Sequence, residues 1–149
     1  PVLFINGTND FAYPLDSYRK SYRLVRRHAL CVTVNMPHSH EDGWAPVEIG
    51  LFADQYLRGG APLARIRSVE RKGSHVKVNF TSALPVERAA LHYTTDTNEW
   101  NQRQWETVEA AIEGSTVKAG LPEDRPLVYF LTLTDSRKAT VSTEHEVIE

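Results

Sequence analysis

The sequence predicts a chain of two classes, α/β over residues 1–61 and all-β over residues 62–149. Two apolar runs without polar alternation, Val2–Ile5 and Leu30–Val34, flank a stretch of helical periodicity, the pattern of strands buried on both faces of a parallel sheet and joined by a crossover helix. The composition changes at Gly60–Pro62, which marks a domain boundary. Beyond it short alternating runs replace the helical spacing, as half-wet antiparallel strands require.

In order along the chain, VLFI ends at Asn6-Gly7, and a helix opening at Leu15 or Asp16 carries Tyr18, Tyr22 and Val25 on one face. Arg23, Arg26 and Arg27 near its end suit the negative pole of the helix dipole. LCVTV then forms the second parallel strand. Pro46 fits the first turn of another helix, with Val47, Ile49, Leu51, Phe52, Tyr56 and Leu57 on its buried side, and Gly59-Gly60 closes it. The β part reads as seven strands: Arg65–Arg71, His75–Phe80, Ala89–Thr94, Gln104–Ala111, Ser115–Ala119, Leu127–Thr134 and Ala139–Val147. Leu127–Thr134 is the most apolar and is expected at the centre. Turn signals at Lys72-Gly73, Glu113-Gly114 and Asp135-Ser136 argue for an antiparallel sandwich of immunoglobulin or fibronectin III type.

Composition excludes several functions. Net charge is -2, with six basic and six acidic side chains in residues 1–60 and eleven and thirteen beyond, so no basic stripe recommends nucleic acid or an anionic membrane. No apolar run reaches the length that spans a bilayer. Cys31, the single cysteine, lies within an apolar strand and reads as a buried small hydrophobe. Opening directly on a strand, the chain is expected to begin inside a larger domain.

Two loops carry the candidate chemistry, NGTNDFAYP (6–14) and NMPHSHEDGW (35–44), each following a strand of the parallel pair. In such sheets the loops at the carboxyl ends of the strands face one rim. Asp10 and His40 can serve as orienting acid and general base of an acyl-transfer triad, in the chain order of acid then histidine. No serine stands in G-x-S-x-G, so the nucleophile is absent from this chain. Phe11, His38 and Trp44 are candidates to wall a substrate pocket. Plainer readings stand beside these: Asp10 as a turn former, His38 as a shaper of the turn, Glu41 and Asp42 as helix caps, and Trp44 packed on the sheet.

PVLFINGTNDFAYP followed by VTVNMPHSHEDGWAP resembles the last two strands of an α/β-hydrolase, and within that superfamily is similar to the acetyl xylan esterase-like, dienelactone-hydrolase-related enzymes. Gly7 and Asp10 match the family's G-x-x-D element, and His40 its histidine. The resemblance implies a partial α/β-hydrolase sheet and the carboxyl-terminal part of a serine esterase. It further implies a small ester or acetylated polysaccharide as substrate, the missing amino-terminal part of the hydrolase domain as partner, no cofactor, and a secreted or periplasmic setting. Serine peptidases share the architecture. In such a fragment exposed sheet edges are expected to pair two copies.

Two readings of other classes use the same chain. His38, His40 and Asp42 spell H-x-H-x-D, a spacing that metallo-β-lactamase-like hydrolases use to hold zinc, although Gly43 stands where their motif continues with histidine. The sandwich is the other, as a glycan- or protein-binding module. Its segment 92–110 resembles the sandwich appended to some esterase-like and PhoPQ-activated pathogenicity-related proteins, and Trp100, Trp105 and Tyr93 could form a platform for sugar rings or lie in the core.

Overall fold

The strand Val2–Asn9 (β1) pairs in parallel with His28–Pro37 (β2), and helix Leu15–Tyr22 (α1) crosses between them in a computed structural model that describes all 149 residues. α1 stops a turn before the periodicity suggests. Its last N–H bonds are short turns from Leu24 to Ser21 and from Val25 to Tyr22, and His28 Nδ1 lies 2.7 Å from the Val25 carbonyl, bending the chain into β2. Cys31 is buried, and burial pushes its thiol up to about 12, so it acts as a core group. Two helices follow β2: a five-residue helix His40–Trp44 (α2) and Glu48–Leu57 (α3). Gly59, at φ +71, supplies the left-handed residue after α3 that only glycine adopts without strain.

The remainder is β, and the protein as a whole is mostly β with antiparallel sheets. Arg65–Lys72 (β3), His75–Thr81 (β4), Thr116–Gly120 (β8) and Ala111–Glu113 (β7) form one sheet in the order β3-β4-β8-β7. The other runs β10-β9-β5-β6, where β5 is Val86–Thr94, β6 Glu106–Glu109, β9 Leu127–Asp135 and β10 Thr140–Ser142; Glu146–Ile148 (β11) continues on the same edge of β9 as β10. Two of the seven expected strands are each two. Gln104–Ala111 crosses from one sheet to the other at Ala110, whose N–H donates to the Ala89 carbonyl. Ala139–Val147 breaks at Thr143, whose hydroxyl accepts the Leu131 N–H while its own N–H donates to the Leu131 carbonyl. A side chain that replaces a ladder bond ends a strand without orphaning the backbone.

The main core lies between the sheets: Val76, Val78 and Phe80 of β4 and Val117 of β8 meet Leu91 of β5 and Leu127, Tyr129, Leu131 and Leu133 of β9. β9 is central, as its composition predicts, and is buried on both faces. Its other side presents Val128 and Phe130 to Leu15, Tyr22, Leu30 and Val32 of the amino-terminal segment, with Trp105 between. The parallel pair therefore covers the outer face of a sheet that would otherwise expose apolar side chains.

Hydrogen bonds join the same two segments along the edge of β10. The Val32 N–H donates to Ser142 Oγ at 2.7 Å, and the Thr140 N–H donates to the buried Glu48 carboxylate at 2.6 Å. An edge strand is thereby closed to other chains. The linker is held too: Arg137 pairs with the buried Asp135 at 2.6 Å and donates to the carbonyls of Ala61 and Pro62. No helix is long and apolar enough to cross a membrane.

Candidate functional site

At the carboxyl ends of β1 and β2 the two loops do meet, as their positions after parallel strands require. Gly7 makes the approach possible: a Cβ there would lie 1.8 Å from the Met36 carbonyl oxygen, so no other residue fits without moving backbone. Asn35 takes a left-handed conformation at φ 60, and its N–H donates to Thr8 Oγ1 at 2.8 Å, which turns the end of β2 over β1. Thr8 and Asn6 are both buried, and Asn6 Nδ2 donates to the Tyr13 carbonyl at 2.7 Å.

Asp10 is buried at the centre of this turn. Its Oδ1 accepts the N–H groups of Ala12 and Tyr13, each at 2.8 Å, and its Oδ2 lies 2.9 Å from His38 Nδ1. The acid–histidine contact thus falls on His38 and not on His40. One residue decides it. Ser39 is the N-cap of α2, accepting the Asp42 N–H at 3.0 Å and donating to the Asp42 carboxylate. Capping places His40 on the first turn of α2, exposed and without a side-chain hydrogen bond, whereas His38 stays in the loop over Asp10. His38 Nδ1 faces Asp10 and Nε2 points away from it, making no bond within the protein.

Aromatic side chains surround this pair. The rings of Phe11 and Tyr13 approach the His38 ring with centroids 5.2 and 5.6 Å apart, and both remain largely exposed, Phe11 at 67%. Trp44, at the end of α2, is 77% exposed and so does not pack on the sheet. A cleft of about 250 Å³ opens beside Asp10, with Tyr13, Tyr18 and His38 among its walls. It shares Ile5, Tyr18 and Gly43 with an apolar groove that Trp44 lines. The Tyr18 hydroxyl donates to the Ile5 carbonyl, and burial, the largest cause, lifts its pKa to about 12, so it remains a neutral donor. Tyr13 and Asn6 are the site residues that pattern reading passed over. The signal for Tyr13 lies in the sequence itself, as the second aromatic of FAY directly after the buried aspartate.

The other candidates fall apart. Trp105 is only 9% exposed and packs edge-on to Phe130 at 5.4 Å; Trp100 is half-buried, with the Arg103 guanidinium over its ring at 4.0 Å; the Tyr93 hydroxyl donates to Glu106. No flat platform results. The H-x-H-x-D residues do not converge, and nowhere do three histidine, cysteine or carboxylate side chains gather in a metal-binding group.

No family model matches the chain, and no curated protein matches it. Comparison with solved structures finds similarity to one described as "Crystal structure of carbohydrate-binding module family 56 beta-1,3-glucan binding domain". Identity is 12% and the TM-score 0.37, over 59% of this chain and 100% of that one. So distant a likeness carries nothing about what this chain binds. The expected carboxyl-terminal part of an α/β-hydrolase esterase and its ester-hydrolysing activity are corrected: no family model and no curated protein supports them, and the solved structure found is described as a binding domain. The geometry agrees with the correction. Asp10 orients His38 and leaves the expected base, His40, alone; Ser39 is occupied in a helix cap; and the parallel pair is two strands sealed onto a sandwich.

Proposed function

We propose that this protein is a carbohydrate-binding β protein that holds a glycan at the rim where β1 and β2 end. The observation that carries the reading is the pair of exposed rings, Phe11 and Tyr13, against His38 at the polar cleft it forms with Asp10, with Trp44 exposed on the adjoining apolar groove. A sugar ring offers an apolar face of C–H groups and an equator of hydroxyls. Exposed aromatic faces cover the former, and a few fixed donors and acceptors orient the latter. Asp10, tied by two backbone N–H groups, holds His38 so that Nε2 is presented to a hydroxyl. Preorganisation of this kind lowers the ordering cost of binding. Residues 1–61 and 62–149 act as two units in this reading, the first presenting the site and the second serving as its rigid support.

Retention of the purified protein on a panel of insoluble neutral polysaccharides, with a β-1,3-glucan, a cellulose and a xylan among them, tests the reading. At least one is expected to retain the protein, and Trp44→Ala or Tyr13→Ala is expected to weaken that retention about tenfold without shifting the melting temperature. Retention on none, or retention that both substitutions leave unchanged, refutes it.

A further inference from the structure

A second cleft lies on the other side of the parallel pair, where the start of β2, helix α3 and strand β3 meet the end of β10. Its volume is about 560 Å³, within the range of ligand sites. Four arginines line it: Arg26 and Arg27 from the turn before β2, Arg65 and Arg67 from β3. None of the four is in an ion pair; the chain's seven salt bridges all lie among other residues. The carboxylates on the same walls are Glu144, already paired with Arg23, and Glu146. In a chain of net charge -2, four guanidiniums without a carboxylate partner, drawn from segments nearly forty residues apart, make a concentrated positive site, with Arg67 tied only through Nε to the Thr81 hydroxyl at 3.0 Å. Exposed in one cleft, these like charges focus a positive potential that draws an anionic ligand.

The rest of the lining indicates the kind of anion. Tyr56 exposes its ring into the cleft and is braced edge-on by Phe52, centroids 5.0 Å apart. Gln55 accepts the Leu63 N–H at 3.4 Å through Oε1, so its amide NH₂ is left to donate. Guanidiniums pair carboxylates in a bidentate fork, an exposed aromatic face takes an apolar ring face, and an amide donor takes a hydroxyl. We infer that this cleft binds an acidic saccharide, a uronate oligosaccharide whose carboxylates meet the four arginines and one of whose rings lies on Tyr56. The saccharide part rests on the glycan-binding reading above; the anion part stands on the arginines alone.

Isothermal titration of the full chain with trigalacturonate, with its methyl ester and with sodium sulfate tests the inference. Trigalacturonate is expected to bind at 50 mM salt and to weaken at least tenfold at 500 mM, because exposed charges are screened over a few ångströms at the higher concentration. The neutral ester is expected to bind at least tenfold more weakly than the acid. Arg65→Gln and Arg26→Gln are each expected to lower affinity about tenfold with an unchanged melting temperature, and Tyr56→Ala to lower it severalfold. Equal binding of acid and ester overturns the inference, as does binding that both arginine substitutions leave intact. Sulfate binding without trigalacturonate binding overturns the saccharide assignment. Retention on neutral polysaccharides, measured on the same preparation, reports on the rim site alone, so failure there leaves the arginine cleft standing and failure here leaves the rim.

Discussion

Replacing Ser142 by alanine tests whether the amino-terminal segment is joined to the sandwich by specific bonds or merely leans on it. Ser142 is buried and its hydroxyl accepts the Val32 N–H at 2.7 Å across the edge of β10. Alanine keeps the backbone and removes that acceptor, leaving a buried N–H in the middle of β2 without a partner. Such a group loses the full benefit of hydration, about 1–3 kcal/mol, rather than the smaller net value of an average hydrogen bond. For a chain of this length that corresponds to roughly 2–4 °C in melting temperature for each kcal/mol. Chemical denaturation gives the global cost, and amide exchange at Val32 gives the local one. We expect Ser142→Ala to lower stability within that range and to speed exchange at Val32, while Ser17→Ala, exposed on α1, stays within about 0.5 kcal/mol of the parent. A Ser142→Ala protein as stable as the parent, with Val32 still protected, would refute the view that this bond fastens the two segments.

Other outcomes follow from the same geometry. Gly7→Ala is expected to cost more than about 3 kcal/mol or to prevent folding, because the clash is with the Met36 backbone and cannot be relieved by a side-chain rotation; denaturant midpoints of the soluble fraction check it. Leu131→Ala, at a fully buried position between the sheets, is expected to cost about 2–5 kcal/mol. Stability is also expected to fall with acidification between about pH 6.5 and 4. Burial holds His92 and His145 neutral down to about 4, aided by Arg88 at the first and Arg19 at the second. The unfolded chain therefore binds more protons than the native one in that window, so the stabilisation is complete above it and lost as pH falls through it. His92→Gln should flatten the slope of midpoint against pH, and an unaltered slope would contradict the assignment.

Much of the local structure was legible in the sequence. Unalternating VLFI and LCVTV imply strands covered on both faces, and the structure pairs them in parallel; LVYFLTLT implies a central strand, and β9 is buried on both sides. Glycines 59, 73 and 114 mark turns because each takes a positive φ that other residues resist. These features depend on side-chain period and backbone sterics, which are properties of a few adjacent residues.

What the sequence could not decide is which distant groups meet. Asp10 has two histidines within reach along the chain, and only the capping of α2 by Ser39 settles that His38 turns toward it while His40 turns outward. Trp100, Trp105 and Trp44 look alike as tryptophans in polar stretches, yet Trp105 fills the core over Phe130 and Trp44 stands in solvent. The four arginines lie as two pairs, one in the turn before β2 and one on β3, and line one cleft only because β2 packs alongside the sandwich at β10. Sequence by itself determined the elements, since secondary structure is written in short-range periodicity. Tertiary structure alone determined the sites, since burial and charge proximity arise from segments that touch only after the sandwich has closed and the parallel pair has covered its outer face.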